Sequence, residues 1–129
     1  MRATKRVLAI AAIAPLLLLG LARAGEAKKL EGDYVWSGST NPVVAAFTPT
    51  AEGKWDVAFN FEIRGVAHEY RGTAEGSLTS GRLQGKVFDE SKGRSFTFEG
   101  AWKDGTFRGT HAETTGGGND PTGTIRLQL

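Results

Sequence analysis

The sequence predicts an all-β fold, in which eight antiparallel strands form an up-and-down meander that closes into a barrel. Three observations support this prediction. After residue 24, apolar residues recur with the period of two that is typical of strands, and not with the period of a helix. Glycine-containing turns separate these stretches. The chain also combines 18 glycines with seven Phe, three Trp and two Tyr, and because disordered chains are poor in aromatic residues, this composition favours packed strands joined by tight turns.

The clearest predicted strand spans residues 54–64. Five apolar residues, from Trp55 to Ile63, are in phase there and alternate with polar residues such as Asp56 and Glu62, as expected for a strand with one buried face. The same criterion predicts eight strands, at residues 30–38, 43–48, 54–64, 67–77, 82–89, 94–102, 106–113 and 122–129.

Short turns between these strands determine the predicted topology. Thr79-Ser80-Gly81 and Lys103-Asp104-Gly105 end on a glycine, where a hairpin needs a left-handed residue. Such short connections join antiparallel neighbours, so the strands follow in chain order. Two hairpins, at 73–86 and 97–110, repeat at an offset of 24 residues. Pairing the first strand with the last removes both exposed edges, which favours a closed barrel over the alternative, a curved open sheet.

Residues 1–24 are predicted to be a secretory signal peptide, and residues 25–129 a single barrel domain. An apolar run from Val7 to Leu21 follows basic residues and precedes Ala22-Arg23-Ala24, a small-residue cleavage site. Removing four basic residues from the total of 16 leaves 12 against 14 acidic residues, a net charge of −2. We therefore expect an exported protein, periplasmic or secreted, with no nucleic-acid partner and no membrane-spanning helix after cleavage.

The first predicted strand contains Gly32-Asp33-Tyr34, and Gly38-Ser39-Thr40 follows it. This segment resembles the opening strand of calycin-type barrels, the group of lipocalins and avidins, with Tyr34 in place of the family tryptophan. The resemblance implies a calycin-like barrel. It also implies that Arg126 corresponds to the last-strand arginine that packs on this aromatic residue in lipocalins. Val35 stands where avidins have an asparagine, so the resemblance does not extend to biotin binding.

The two repeated hairpins also resemble MORN repeats, whose core is Y-x-G-x-W-x-x-G-x-x-x-G. The stretch from Phe98 to Gly105, followed by Gly109, is similar to one copy, and residues 74–85 are similar to a second in which Leu78 replaces the tryptophan. Two copies are fewer than the roughly three that an independent array requires. The resemblance therefore implies shared hairpin geometry.

Candidate binding residues come from the aromatic residues and both histidines on the predicted inner phase. Glycines on the same phase, such as Gly85 and Gly100, either let large and small side chains interdigitate in a filled core or leave a cavity beside aromatic walls. The ligand-binding candidates are Tyr34, Trp36, Trp55, His68, Tyr70, Trp102 and His111. The expected mouth is the end that holds the longer polar loops, 90–93 and 114–121.

No motif predicts catalysis, a metal site or a cofactor. Cysteine is absent, and the sequence has no nucleophile elbow, phosphate loop or H-E-x-x-H pair. The sequence therefore predicts a non-enzymatic barrel that binds a small hydrophobic ligand inside. The first alternative is a structural, protein-interaction or inhibitor-like barrel with a filled core. The second is an outer-membrane barrel, whose strands show the same alternation.

Overall fold

The computed structural model describes residues 26–129 and confirms the predicted fold, because eight antiparallel strands in chain order close into a barrel. The strands are β1 (Lys28–Trp36), β2 (Ser39–Ala51), β3 (Lys54–Ile63), β4 (Val66–Gly76), β5 (Gly81–Asp89), β6 (Arg94–Lys103), β7 (Thr106–Glu113) and β8 (Asp120–Gln128), with a 3₁₀ helix (Thr115–Gly117) before β8. The predicted signal peptide lies outside the described residues. Within residues 26–129, no helix is long and apolar enough to cross a membrane.

Three of the hairpins turn on two residues that both have left-handed backbone angles. These pairs are Ser37-Gly38, Arg64-Gly65 and Asp104-Gly105, with φ between 52° and 80°. A two-residue turn of this kind matches the twist of the strands on either side. It also extends β2 well beyond its predicted start at residue 43, because Thr40 and Asn41 already pair with β1.

The barrel interior is a filled aromatic and aliphatic core. Phe59 is fully buried, and its ring centre lies 6.3, 5.7 and 5.1 Å from those of Phe47, Phe96 and Phe98. Aromatic residues that were predicted on the inner phase are buried on several other strands, among them Tyr34, Tyr70, Phe96, Trp102 and Phe107. Aliphatic residues complete the core: Leu30, Val43, Val57, Leu83, Val87, Ile125 and Leu127.

The inward-phase glycines do not line a cavity, since they allow neighbouring strands to approach closely. A Cβ atom added at Gly100 would lie 2.5 Å from the Cα of Gly109, its cross-strand partner. At Gly72 it would lie 2.8 Å from the Cα of Val87. Real Cβ atoms essentially never come so close to backbone. Of the two roles predicted for these glycines, the structure therefore supports tight packing.

Closure takes place where β1 pairs with β8, at a seam that extends from Glu31 opposite Gln128 to Trp36 opposite Gly123. Arg126 lies on the outer side of this seam and donates to Asp33 Oδ2 at 2.6 Å. The correspondence that the calycin resemblance implied, an arginine packed on the first-strand aromatic, is therefore wrong. Alternation along β8 turns Ile125 and Leu127 inward and leaves Arg126 exposed.

Candidate functional site

The end of the barrel formed by the turns after β1, β3, β5 and β7 contains a small cleft, which we call the cup. Its volume is about 40 Å³. It is lined by Tyr34, Trp36, Phe61, Ile63, His68, Tyr70, Arg94, Ser95, Phe96, Glu113 and Thr122. The cup lies at the end that the loop lengths predict as the mouth. It brings together four of the seven predicted binding residues: Tyr34, Trp36, His68 and Tyr70.

A stack of four nearly parallel rings crosses this end of the barrel. Ring centres are 5.5 Å apart between His68 and Phe61, 4.4 Å between Phe61 and Tyr34, and 4.0 Å between Tyr34 and His111, with interplanar angles of 18°, 16° and 5°. The two histidines, both predicted on the inner phase, are thus connected through two intervening rings. Three of the rings, those of Tyr34, Phe61 and His68, line the cup. His111 stacks on Tyr34 and does not line the cup.

His111 is buried and both of its ring nitrogens are satisfied. Nε2 lies 2.8 Å from the carbonyl oxygen of Val35, which only accepts, so Nε2 carries the proton and donates. Nδ1 then accepts from the Thr122 hydroxyl at 2.6 Å. The ring reaches from β7 to β1 past Gly123 of β8, where an added Cβ would lie 3.0 Å from Nε2. His111 therefore holds Tyr34 in position and joins strands on both sides of the seam.

The neutral state of His111 predicts a loss of stability on mild acidification. Burial lowers the pKa of His111 below its ordinary value of 6.5, against the opposing effect of its hydrogen bond to Val35. Below pH 6.5 the unfolded chain therefore binds a proton that the folded chain does not, so the free energy of unfolding falls as the pH falls towards the lower folded pKa. Urea unfolding between about pH 5 and 7.5 measures this slope.

Substitution of each histidine shows which of the two causes the pH dependence of the free energy of unfolding. His111→Gln is expected to lower stability at pH 7.5 and to make the pH dependence shallower. His68→Gln is the control, because His68 is only half-buried, although burial lowers its pKa as well. An unchanged slope in His111→Gln, or stability that rises on acidification, would contradict the assignment.

Arg94 and Glu113 form the polar side of the cup. The Nε and Nη2 groups of Arg94 donate to Oε2 and Oε1 of Glu113 at 3.1 and 2.6 Å, a bidentate pair. Burial raises the pKa of Glu113, but hydrogen bonds from Arg94 and Thr115 outweigh it and hold that pKa below its ordinary value. Burial also raises the pKa of the Tyr34 and Tyr70 phenols. The cup thus offers a carboxylate, a guanidinium and two protonated phenols above aromatic rings.

Trp55 and Trp102, two of the predicted binding residues, lie at the opposite end of the barrel. Their indole N–H groups donate to the carbonyl oxygens of Gly76 and Ser77, at 3.0 and 2.7 Å. Leu78 is buried in the same turn region. These contacts fasten the connection between β4 and β5 over the core and close that end.

The sequence interpretation missed Arg94 and Glu113, although their signal was present. Arg94 is in phase with Phe96 and Phe98 on β6, and Glu113 is in phase with His111 on β7. A charged residue on the apolar phase at the end of a strand is a candidate for the mouth of a barrel. Only the hairpin register, which pairs Glu113 with Phe96, brings the two charges together.

Comparison of the chain with protein-family models, with curated proteins and with solved structures finds no match.

Proposed function

We propose that the protein is an exported, non-enzymatic binding barrel of the calycin-like type, which takes one end of a small amphipathic ligand in the cup. The observation that supports this proposal most directly is the convergence of Tyr34, Trp36, His68 and Tyr70 around the Arg94–Glu113 pair. A concave site with aromatic walls and a few convergent polar groups is the usual form of a small-molecule site.

The filled core argues for a ligand at the mouth rather than inside the barrel. The cup, at about 40 Å³, is far below the roughly 300–1,000 Å³ of a site that encloses a whole drug-sized ligand, so it suits only an end group. A shallow hollow of about 150 Å³ lies between Trp36, Ile63 and Arg64. It adjoins the cup, because Trp36 and Ile63 line both. In this proposal, a polar end group meets Arg94 and the phenols, and the apolar body lies over Trp36 and Ile63.

A protein-interaction or inhibitor-like role is the second candidate, because apolar side chains surround the cup. Val66 is 52% exposed beside Ile63, its cross-strand partner in the β3–β4 hairpin. Trp36 is half-buried at the same end. In this alternative, one side chain of a partner protein occupies the cup and the rim packs against the partner surface.

Tryptophan fluorescence tests the proposal, with octanoate, octylamine and anilinonaphthalene sulfonate as the probes. We expect at least one probe to change the emission of the wild type and of Trp102→Phe, but not that of Trp36→Phe, because Trp36 alone of the three tryptophans lines the cup. For the two anionic probes, octanoate and anilinonaphthalene sulfonate, Arg94→Gln is expected to raise the Kd by about tenfold, through the loss of a charged hydrogen bond.

Thermal melts of each variant show whether the barrel is intact. A response that survives in Trp36→Phe and is lost in Trp102→Phe would contradict a site at the cup. Absence of any response in a folded wild type would favour the interaction role. Native mass spectrometry of protein purified without detergent adds a direct search for a retained small molecule.

A further inference from the structure

A second, lateral opening lies on the outside of the barrel, between β4 and the turn that joins β5 to β6. β4 pairs with β5 only from Arg71 onwards, because β5 ends at Asp89 and the chain turns away through residues 90–93. The result is a groove of about 620 Å³. Outer-phase residues such as Asn60, Phe88 and Arg71 line it, and the gap between the strands also brings the inner-phase side chains of His68 and Asp89 to its surface.

Asp89 is the unusual residue of this groove. Its side chain is 5% exposed. Oδ1 accepts hydrogen bonds from the Ser91 amide and hydroxyl at 3.1 and 2.6 Å. Within residues 26–129, no donor lies within hydrogen-bond distance of the buried Oδ2. Its nearest cation is the Lys92 ammonium at 3.6 Å.

A buried carboxylate oxygen without a donor is costly, so such an atom in a groove marks a place for a ligand donor. The hydrogen bonds from Ser91, together with the nearby Lys92 charge, outweigh burial and keep the pKa of Asp89 below its ordinary value. Asp89 is therefore a charged acceptor. Lys92 also approaches the Ala67 carbonyl oxygen at 3.5 Å and spans the gap between the turn and β4.

The surrounding groups determine which kind of donor fits. Glu69 and Glu90 line the groove together with Arg71 and Lys92, so both signs of charge are present. An anionic ligand is repelled by the two glutamates and a cationic ligand by Arg71 and Lys92. A hydroxyl can donate to the carboxylates and accept from the cationic groups. Phe88 adds an aromatic ring that is 46% exposed, with the Lys86 ammonium 5.3 Å from its centre. The volume of the groove also lies in the usual range for a small-molecule site.

We propose that this lateral groove is a saccharide-binding site, in which a sugar hydroxyl donates to Asp89 Oδ2 and the C–H face of the ring packs against Phe88. The groove shares His68 with the cup. Saccharide binding is independent of any ligand in the cup.

Amide chemical shifts of the protein, in which β1 to β8 form a closed barrel, test this proposal. The probes are cellobiose, maltose and diacetylchitobiose at about 20 mM, a concentration suited to millimolar affinity. At least one disaccharide is expected to shift amides between residues 67 and 71 and between 88 and 92. Asp89→Asn keeps an acceptor for Ser91 but replaces the charge, and we expect it to raise the Kd by about tenfold. Phe88→Ala, at an exposed position, is expected to weaken binding without affecting folding.

Asp56→Asn is the matched control, because it makes the same aspartate-to-asparagine change at an exposed position near the start of β3 that does not line the groove. It is expected to bind as the wild type does. Any of three results overturns the proposal. The first is that none of the three disaccharides shifts the amides of residues 67–71 and 88–92, and the second is equal binding by the wild type and by a folded Asp89→Asn. The third is that butylamine shifts these amides and the sugars do not.

Discussion

Gly32→Ala is expected to open the barrel at the β1–β8 seam. The added Cβ would overlap the carbonyl oxygen of Arg126 and would lie 2.6 Å from its carbonyl carbon and 2.9 Å from the Cα of Leu127. All three are backbone atoms, so no side-chain rotation relieves the contact and β8 itself must move. Because displacement of β8 exposes two strand edges, we expect a loss of about 3 kcal/mol or more. This corresponds to a fall in melting temperature of roughly 12 °C or more.

Gly118→Ala is the control for this prediction. Its φ is −78°, and the nearest atom to an added Cβ is the Thr115 carbonyl oxygen at 3.7 Å, an ordinary contact. We expect its stability to stay within about 0.5 kcal/mol of the wild type. Hydrogen exchange adds a local measurement, since an opened seam leaves the amides of β1 and β8 unprotected while those of β3 and β4 stay slow. Equal melting temperatures for both variants would show that the seam tolerates a methyl group.

Phe59→Ala is expected to cost about 3–5 kcal/mol, because it removes a fully buried ring from the centre of the core. Phe59 contacts rings from β2 and β6, on two other strands of the barrel, so neighbouring side chains cannot fill the space by a small shift. The matched control is Phe88→Ala, whose ring is 46% exposed on the outer face of β5. We expect its cost to be about 1 kcal/mol or less.

Denaturant unfolding of both phenylalanine variants gives the comparison directly. A large cost at Phe59 with a small cost at Phe88 supports a barrel stabilised by its filled interior. Similar costs for the two would show that the inner and outer faces of these strands are wrongly assigned.

Much of the fold was predictable, because strand alternation and hairpin turns are local properties. The alternation from Trp55 to Ile63 predicted one inward and one outward face for β3, and the burial of Val57, Phe59 and Phe61 confirms it. Lys103-Asp104-Gly105 predicted a three-residue β6–β7 turn; the structure places a turn there on two residues, Asp104 and Gly105, both with positive φ, because Lys103 still pairs with Thr106. Strand ends were less predictable: β2 begins at Ser39 because a two-residue turn lets pairing start at once.

The candidate site was predictable only in part, because alternation shows which face a residue occupies and not which end of the barrel. Trp36 and Trp55 share the inner phase, yet Trp36 ends β1 at the cup and Trp55 begins β3 at the opposite end. Trp102 is placed with Trp55 for the same reason. Arg94 and Glu113 meet only because β6 and β7 pair in one register, which depends on the length of the turn between them.

The sequence by itself determined the fold class, the strand order and the inward face of each strand, because these follow from the period of two and from short turns. Only the tertiary structure decided what the glycines and the polar inner residues do. Gly32 and Gly100 allow close contact because another strand lies against them. Among residues 26–129, no donor reaches Asp89 Oδ2 at the place where β4 and β5 separate. Both outcomes depend on distances between strands, which a pattern along one strand does not contain.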